Sequence, residues 1–342
     1  MDWWAEYQDR LSDSDDGLVV SLTEEGRNAV LKFLLRSKSR HSKHTFRNRK
    51  VAVKQWLEFC EVEDIDVFDA RSVTVEDWMD VMIADGYAPR SVREKVYSIS
   101  AMYVRWVKRE YIEKNPVEDV DDVEKYSLTR LQEHSEREYL EVEEYEAIEE
   151  ACVNTRELLV VQILWQTGVR VGESVSIRET DINFDKRYIE IETSKTGKFE
   201  ENDTRKVYYK RTLERTLDKW LNKGGRDAYT GTGGDDDEGH ILVSKEEPTM
   251  STQTVGDIVY EVADRTEVQE TLYEDQSGTK RQWVVPHLFR KSYGVHRTKS
   301  GMPIVYLSEL MGHSDIATTR DNYLKFRDDD IAEAEQKYAR HI

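Results

Sequence analysis

Cysteine is nearly absent from this chain. Among 342 residues only Cys60 and Cys152 carry a thiol, and both fall inside apolar helical patterns. Two such residues build neither a disulfide framework nor a cysteine-based metal site; they read as small core hydrophobes in a reducing, intracellular compartment. Long hydrophobic runs are missing as well. Even the stretch LLVVQILW is too short to span a bilayer. The first residues, MDWWAEYQDRLSDSDD, lack a basic region followed by an apolar segment, which argues against a signal peptide. A cytoplasmic protein is the expectation.

Positive charge is outweighed. Asp and Glu number 69 against 50 Lys and Arg, for a formal charge of -19. The plain reading is a solvated acidic surface. The sharper one is adaptation to molar salt, where such a surface keeps a protein hydrated. Against this background two stretches lack acids altogether. Residues 27–57 hold ten Lys or Arg, two His and no Asp or Glu, whereas residues 61–85 hold nine acids and one Arg. Residues 276–308 hold six Lys or Arg and no acid. A charge run is usually a solvated face. Segregation this sharp inside an acidic chain points instead to an anionic ligand, and for the first stretch to a nucleic-acid face.

The length predicts about two domains on a prior of ~150 residues each. After an acidic leader (1–20), Thr23 caps a helix with Val30, Phe33 and Leu34 inward. A second helix starts near Thr45, with Phe46, Val53, Leu57 and Cys60 on one stripe. A third follows Thr74, with Trp78, Val81 and Met82 inward, and ends at Gly86. A fourth runs from about Ser91, turns Val92, Val96, Ile99, Tyr103 and Trp106 inward, and is stopped by Asn115-Pro116. Residues 21–116 therefore form a small helical bundle. Its expected nucleic-acid contacts are Lys43, Arg47, Arg49, Lys50, Lys54, Arg90, Arg93 and Lys95. Residues 117–137 are an acidic linker. The second domain, 138–342, begins with helices at 140–152 and 157–166, the latter closed by Gly168. Strands YIEIET and RKVYY form a hairpin around the turn-rich SKTGKFEENDT. Helices follow at 213–221, 255–263, 287–299 and 304–311, with an acidic loop (Asp235 to Glu238) among them and a polar tail helix from about Asp329. The fold class is mainly α with a small β-hairpin or sheet (α+β).

Residues suited to handling a phosphodiester are concentrated late in the chain. His287 and Arg290 stand three apart in HLFR, His313 lies in a Gly-His-Ser turn, and Tyr323 follows ten residues on. Arg170 sits earlier, in TGVRVGE, and Lys195 at the edge of the hairpin, in SKTGK. Arg offers a fork that matches two phosphate oxygens, His moves a proton near neutral pH, and Tyr can be a covalent nucleophile. In this order the boxes resemble those of the tyrosine recombinase (phage integrase) family, over nearly everything after Leu22. The resemblance implies a helical core-binding bundle joined to a tyrosine-recombinase catalytic domain. It implies that Arg170 and Arg290 clamp the phosphate and His313 adds a donor. His287 assists Tyr323, Lys195 protonates the leaving 5′ oxygen, and Glu173 orients the first-arginine turn. No cofactor or metal is needed. The partners implied are double-stranded DNA and further copies of the chain, four at the exchange step. Lys198 competes with Lys195 for the acid role. His296 reads as structural, Tyr306 as a helix-packing residue, Ser314 and Asp315 as helix caps, and His134 has no evident partner. One departure bears on the nucleophile. The family usually places two residues between its Thr-Thr pair and the tyrosine; here Arg320, Asp321 and Asn322 intervene. An added residue turns a helical side chain by about 100°. Two other readings share these residues: a topoisomerase-like DNA relaxer, and a DNA-binding regulator on a degenerate recombinase fold.

Overall fold

The computed structural model describes residues 22–121, 123–126, 138–193, 203–230, 238–245, 249–274, 280–313, 316, 317 and 319. The chain divides into two compact units, Met1–Glu133 and His134–Ile342. Among the described residues no helix is long and apolar enough to cross a membrane.

In the first unit, helices α1 (Glu24–Arg40), α2 (Lys43–Val62), α3 (Ser72–Ala84) and α4 (Pro89–Val107) form a bundle. Local chemistry sets their ends. The Thr23 hydroxyl accepts from the Gly26 N–H at 3.1 Å, and Ser42 accepts from Thr45 at 3.2 Å, each satisfying a donor that the first helical turn leaves open. Glu24 and Glu25 open α1 while Lys38 and Arg40 close it, in accord with its dipole. The core is aromatic. The Trp56 indole N–H donates to the Tyr103 hydroxyl at 2.8 Å, and that hydroxyl donates to the Val67 carbonyl at 2.9 Å. Trp78 stands edge-on to Trp56, with ring centroids 5.1 Å apart.

Two expectations for this unit need correction. Helix α4 ends at Val107, well before Asn115-Pro116. Glu110 adopts φ 60°, and the Tyr111 N–H turns back to the Trp106 carbonyl at 3.1 Å, a left-handed stop that the proline did not supply. Asn115 is itself buried, with its amide on the Ser100 hydroxyl at 3.0 Å. Val81 is exposed, because the inward stripe of α3 runs through Val75, Trp78, Met79 and Met82.

The second unit is built around α6 (Thr155–Thr167), which follows α5 (Val142–Glu150) and buries Leu159, Val160, Val161, Ile163 and Leu164. Helix α7 (Val171–Ser176) comes next, then an antiparallel sheet in the order β1 (Ile182–Asn183), β2 (Tyr188–Thr193), β3 (Asp203–Tyr208). The expected hairpin is thus the larger part of a three-stranded sheet, with Ile189 opposite Val207 and Ile191 opposite Arg205. Helices α8 (Arg211–Asn222), α9 (Asp227–Thr230) and α10 (Thr252–Ala263) follow. A hairpin that the sequence did not announce, β4 (Thr271–Glu274) with β5 (Lys280–Gln282), leads to α11 (Pro286–Lys299) and α12 (Ile304–Met311). Helices α8, α10 and α11 all pack on α6. Tyr306 is not a packing residue. It is 62% exposed, because α12 turns Leu307 and Met311 inward and leaves Tyr306 on the outer face. His296 is structural as expected, with its Nε2 2.7 Å from the Leu140 carbonyl and its ring edge-on to Trp165.

Candidate active site

Helix α6 stops at Gly168, which has φ 63°. A methyl group there would lie 2.5 Å from the Tyr293 ring, so both backbone and packing require glycine. The stop delivers Arg170 as the residue before α7. Glu173, three residues on, accepts the Arg170 backbone N–H at 2.7 Å and pairs with the same residue's Nη1 at 2.9 Å. One carboxylate thereby starts the helix and aims the guanidinium, which is 47% exposed.

Helix α11 opens with Pro286 and carries His287 and Arg290 one turn apart. Arg290 is buried. Its Nη1 donates to the Gly168 carbonyl at 2.7 Å and its Nη2 to the Met311 carbonyl at 2.6 Å. The same Nη2 lies 3.0 Å from Nε2 of His313. A guanidinium has only donors, so Nε2 is the acceptor and the ring proton is assigned to Nδ1, which faces the Thr319 hydroxyl at 2.7 Å. In this arrangement His313 offers no donor from Nε2. Burial first, then the charges of Arg290, Arg170 and Arg205, hold its pKa down to about 4, with Glu173 pulling the other way. His287 is exposed yet closely surrounded. Its pKa is also lowered, by desolvation first and then by Lys291, Arg290 and Arg170.

One residue of this cluster was not anticipated. Arg205 projects from β3 and closes its fork on Glu173, Nη1 to Oε1 at 3.0 Å and Nη2 to Oε2 at 2.7 Å. Its Nε donates to the Leu310 carbonyl at 2.9 Å. Strand alternation held the clue, since Arg205 shares its phase with Val207 and Tyr209, all buried. Burial alone would push the Glu173 pKa up. Hydrogen bonds from Arg205 and from the Arg170 backbone, with the charge of Arg205, outweigh it and hold the carboxyl below its usual range.

The structure thus brings together Arg170, Glu173, Arg290 and His313, with His287 one turn ahead of Arg290. Lys195, Lys198 and Tyr323 lie outside the described residues, as do His134, Ser314, Asp315, Tyr338, the acidic leader, Asp235 to Asp237 and the tail. Of the expected DNA contacts, Lys43, Arg47 and Arg90 are exposed, Lys50 is half-buried, and Lys54 stands 3.9 Å from Glu58. Others face partly inward. Arg49 donates to the Ser37 hydroxyl at 3.3 Å, Lys95 donates to Gln55 at 2.5 Å over the Tyr87 ring, and the Arg93 Nε is buried without a hydrogen-bond partner. The same unit carries a further basic feature, a groove of about 520 Å³ in which Arg36, Arg40, Arg105 and Arg109 surround Trp106.

Two guanidiniums beside two imidazoles make a set of groups that can hold a phosphate. Comparison with known proteins gives the class. A model of the phage integrase family matches residues 138–329. The tyrosine recombinase XerC of Leptospira interrogans is 23% identical over 310 residues, spanning 90% of this chain and 91% of that protein. The tyrosine recombinase XerA of Pyrococcus furiosus is 27% identical over 168 residues, 48% of this chain and 49% of that one. Among solved structures, the Tn1549 transposon integrase in complex with transposon right end DNA aligns with a TM-score of 0.65 at 16% identity, over 90% of this chain and 98% of that one. A lambda integrase dimer bound to a core site aligns at 0.64 and 18%, over 88% and 79%. The structural likenesses show a shared fold; the family model covers more than half of the chain. The chain belongs to the phage integrase family.

Proposed function

We propose that this protein is a site-specific DNA recombinase that breaks and rejoins strands through a covalent 3′-phosphotyrosine at Tyr323. The observation that carries the reading is the meeting of Arg170, Arg290 and His313, drawn from three separated segments, around one point near Gly312. The Tyr323 oxygen attacks the phosphorus and the bond from phosphorus to the 5′ oxygen breaks. His287 takes the tyrosine proton, and Lys195 gives one to the departing 5′ oxygen. Arg170 and Arg290 hold the non-bridging oxygens and stabilise the charge that grows there. Burial and then the nearby arginines keep the His313 ring neutral; a phosphate beside it supplies the opposite charge that favours protonation, so that the imidazolium can donate to it. The phosphotyrosine conserves the bond energy for rejoining, and no step calls for a metal or cofactor.

The basic surface of α1, α2 and α4 binds the duplex, with Arg36, Arg40, Arg105 and Arg109 extending it. Exchange between two duplexes requires four cut strands, hence four copies, which sedimentation of the synapsed complex would count. The reaction takes place in the cytoplasm, and the acidic balance suits molar salt. The decisive experiment is incubation with half-site DNA nicked so that the 5′ fragment is lost. The wild-type chain is expected to form a covalent adduct, and Tyr323→Phe to bind the DNA without forming one. An adduct that survives this change, or one mapped to Tyr306 or Tyr338, refutes the assignment. Binding with no adduct at all favours the regulator.

A further inference from the structure

Three successive carbonyls close helix α12, and each is taken by a different arginine. Leu310 accepts from Arg205 Nε at 2.9 Å, Met311 from Arg290 Nη2 at 2.6 Å, and Gly312 from Arg170 Nη2 at 3.3 Å. The last carbonyls of a helix have no partner within it and form its negative pole, so cations there are stabilising. Two of these arginines have another task in the proposed reaction, since Arg170 and Arg290 form the phosphate clamp. Arg205 is built differently. Its side chain is 6% exposed, against 47% for Arg170. Its fork is closed on Glu173, and a methyl group on Gly312 would come within 2.7 Å of its Nη1. It stands on β3, which pairs with β2 from Tyr188↔Tyr208 to Thr193↔Asp203.

We propose that Arg205 is a positioning residue: it fixes Arg170 through Glu173 and fixes the turn carrying His313 through the Leu310 carbonyl. Arg170 and Arg290 can then lend donors to a phosphate while the end of α12 stays in place. The inference rests on the recombinase reading above and adds a residue to it. Its geometry explains why arginine is needed. The fork spans both oxygens of one carboxylate while Nε reaches a carbonyl on another element. Lysine keeps the charge but cannot make both contacts from one rigid plane. The Leu310 carbonyl lies three residues before His313, so a shift of this turn displaces the His313 ring. A displacement of ~1 Å at such a centre costs on the order of a hundredfold in rate.

The test compares wild type with Arg205→Lys and Gly312→Ala in four measurements. These are thermal unfolding, half-site DNA affinity, single-turnover cleavage, and the NMR signal of the His313 Nδ1 proton, held on Thr319. Arg205→Lys is expected to stay folded and to bind DNA as wild type does. Its cleavage should slow about a hundredfold, and its His313 signal should shift. Gly312→Ala, which pushes into Arg205, should move the same signal. A folded Arg205→Lys that cleaves at the wild-type rate overturns the proposal. So does a loss of fold and affinity that runs in parallel with rate in both variants, which marks a purely structural role. If wild type cleaves no DNA, the recombinase reading fails on its own. The His313 signal then decides: a shift in Arg205→Lys supports positioning, and an unmoved signal overturns it.

Discussion

His313 is neutral in the free protein because burial, and then the charges of Arg290, Arg170 and Arg205, disfavour its protonated form, and this gives it a definite pH signature. Its pKa lies near 4, below the ordinary 6.5. Above pH 6.5 the ring is neutral whether the chain is folded or not. As pH falls from 6.5 toward 4, the unfolded chain takes up a proton that the folded one refuses, so stability declines over that window and no further below it. Glu173 acts in the same direction at lower pH. Its depressed pKa contributes stability above the unfolded value of 4.5, lost as pH falls through the folded one. Urea midpoints measured across this range should show the decline, and His313→Gln should flatten its upper part. Bound half-site DNA should raise the His313 pKa, read by NMR titration of the ring. A His313 that titrates near its ordinary value in the free protein contradicts the arrangement with Arg290.

At the scale of elements, the proposed binding and the proposed chemistry fall on different pieces of chain. Lys43 and Arg47 on α2 and Arg90 on α4 are exposed, whereas Arg49 and Lys95 are engaged by Ser37 and Gln55. Changing Lys43, Arg47 and Arg90 to Glu should therefore weaken DNA binding and reduce its salt slope, by about 0.9 per lost phosphate contact. Unchanged affinity in a gel-shift titration would remove these helices from the interface. The helices themselves were legible because their signals are local. Thr23 caps α1, Gly168 and Gly312 end α6 and α12, and one stripe on α4 runs from Val92 to Trp106. Arg170, Glu173, His287, Arg290 and His313 could be named from short motifs for the same reason. What escaped depends on distant partners. Strand β1 is two residues long and exists only because β2 lies beside it. Arg205 looks like any strand arginine until Glu173 and Leu310 are brought to it. Tyr306 sits in an apolar run, yet the packing of α12 through Leu307 and Met311 turns it outward.

For the whole molecule the governing quantity is the charge of -19, carried with a mean hydropathy of -0.75. A body so acidic repels DNA at low ionic strength. At ~1 M salt the Debye length is only about 3 Å, so distant repulsion fades while groups in contact still attract. Counterion release works the other way, weakening binding as salt rises. The balance predicts a protein that keeps its stability and activity in molar salt. Loss of both between ~0.1 M, where the Debye length is about 10 Å, and the molar range would rule that out. The same segregation has an orienting effect. The first unit carries its cations on α1, the start of α2 and α4, and its acids from the end of α2 through α3. Charge set apart in this way gives the unit an electric dipole, and a dipole near a polyanion experiences a torque before any contact forms. In dilute salt a unit drifting toward DNA is turned, basic helices foremost, even while the net charge slows its approach. In concentrated salt that torque is extinguished, and productive encounters depend on chance alignment followed by short-range capture.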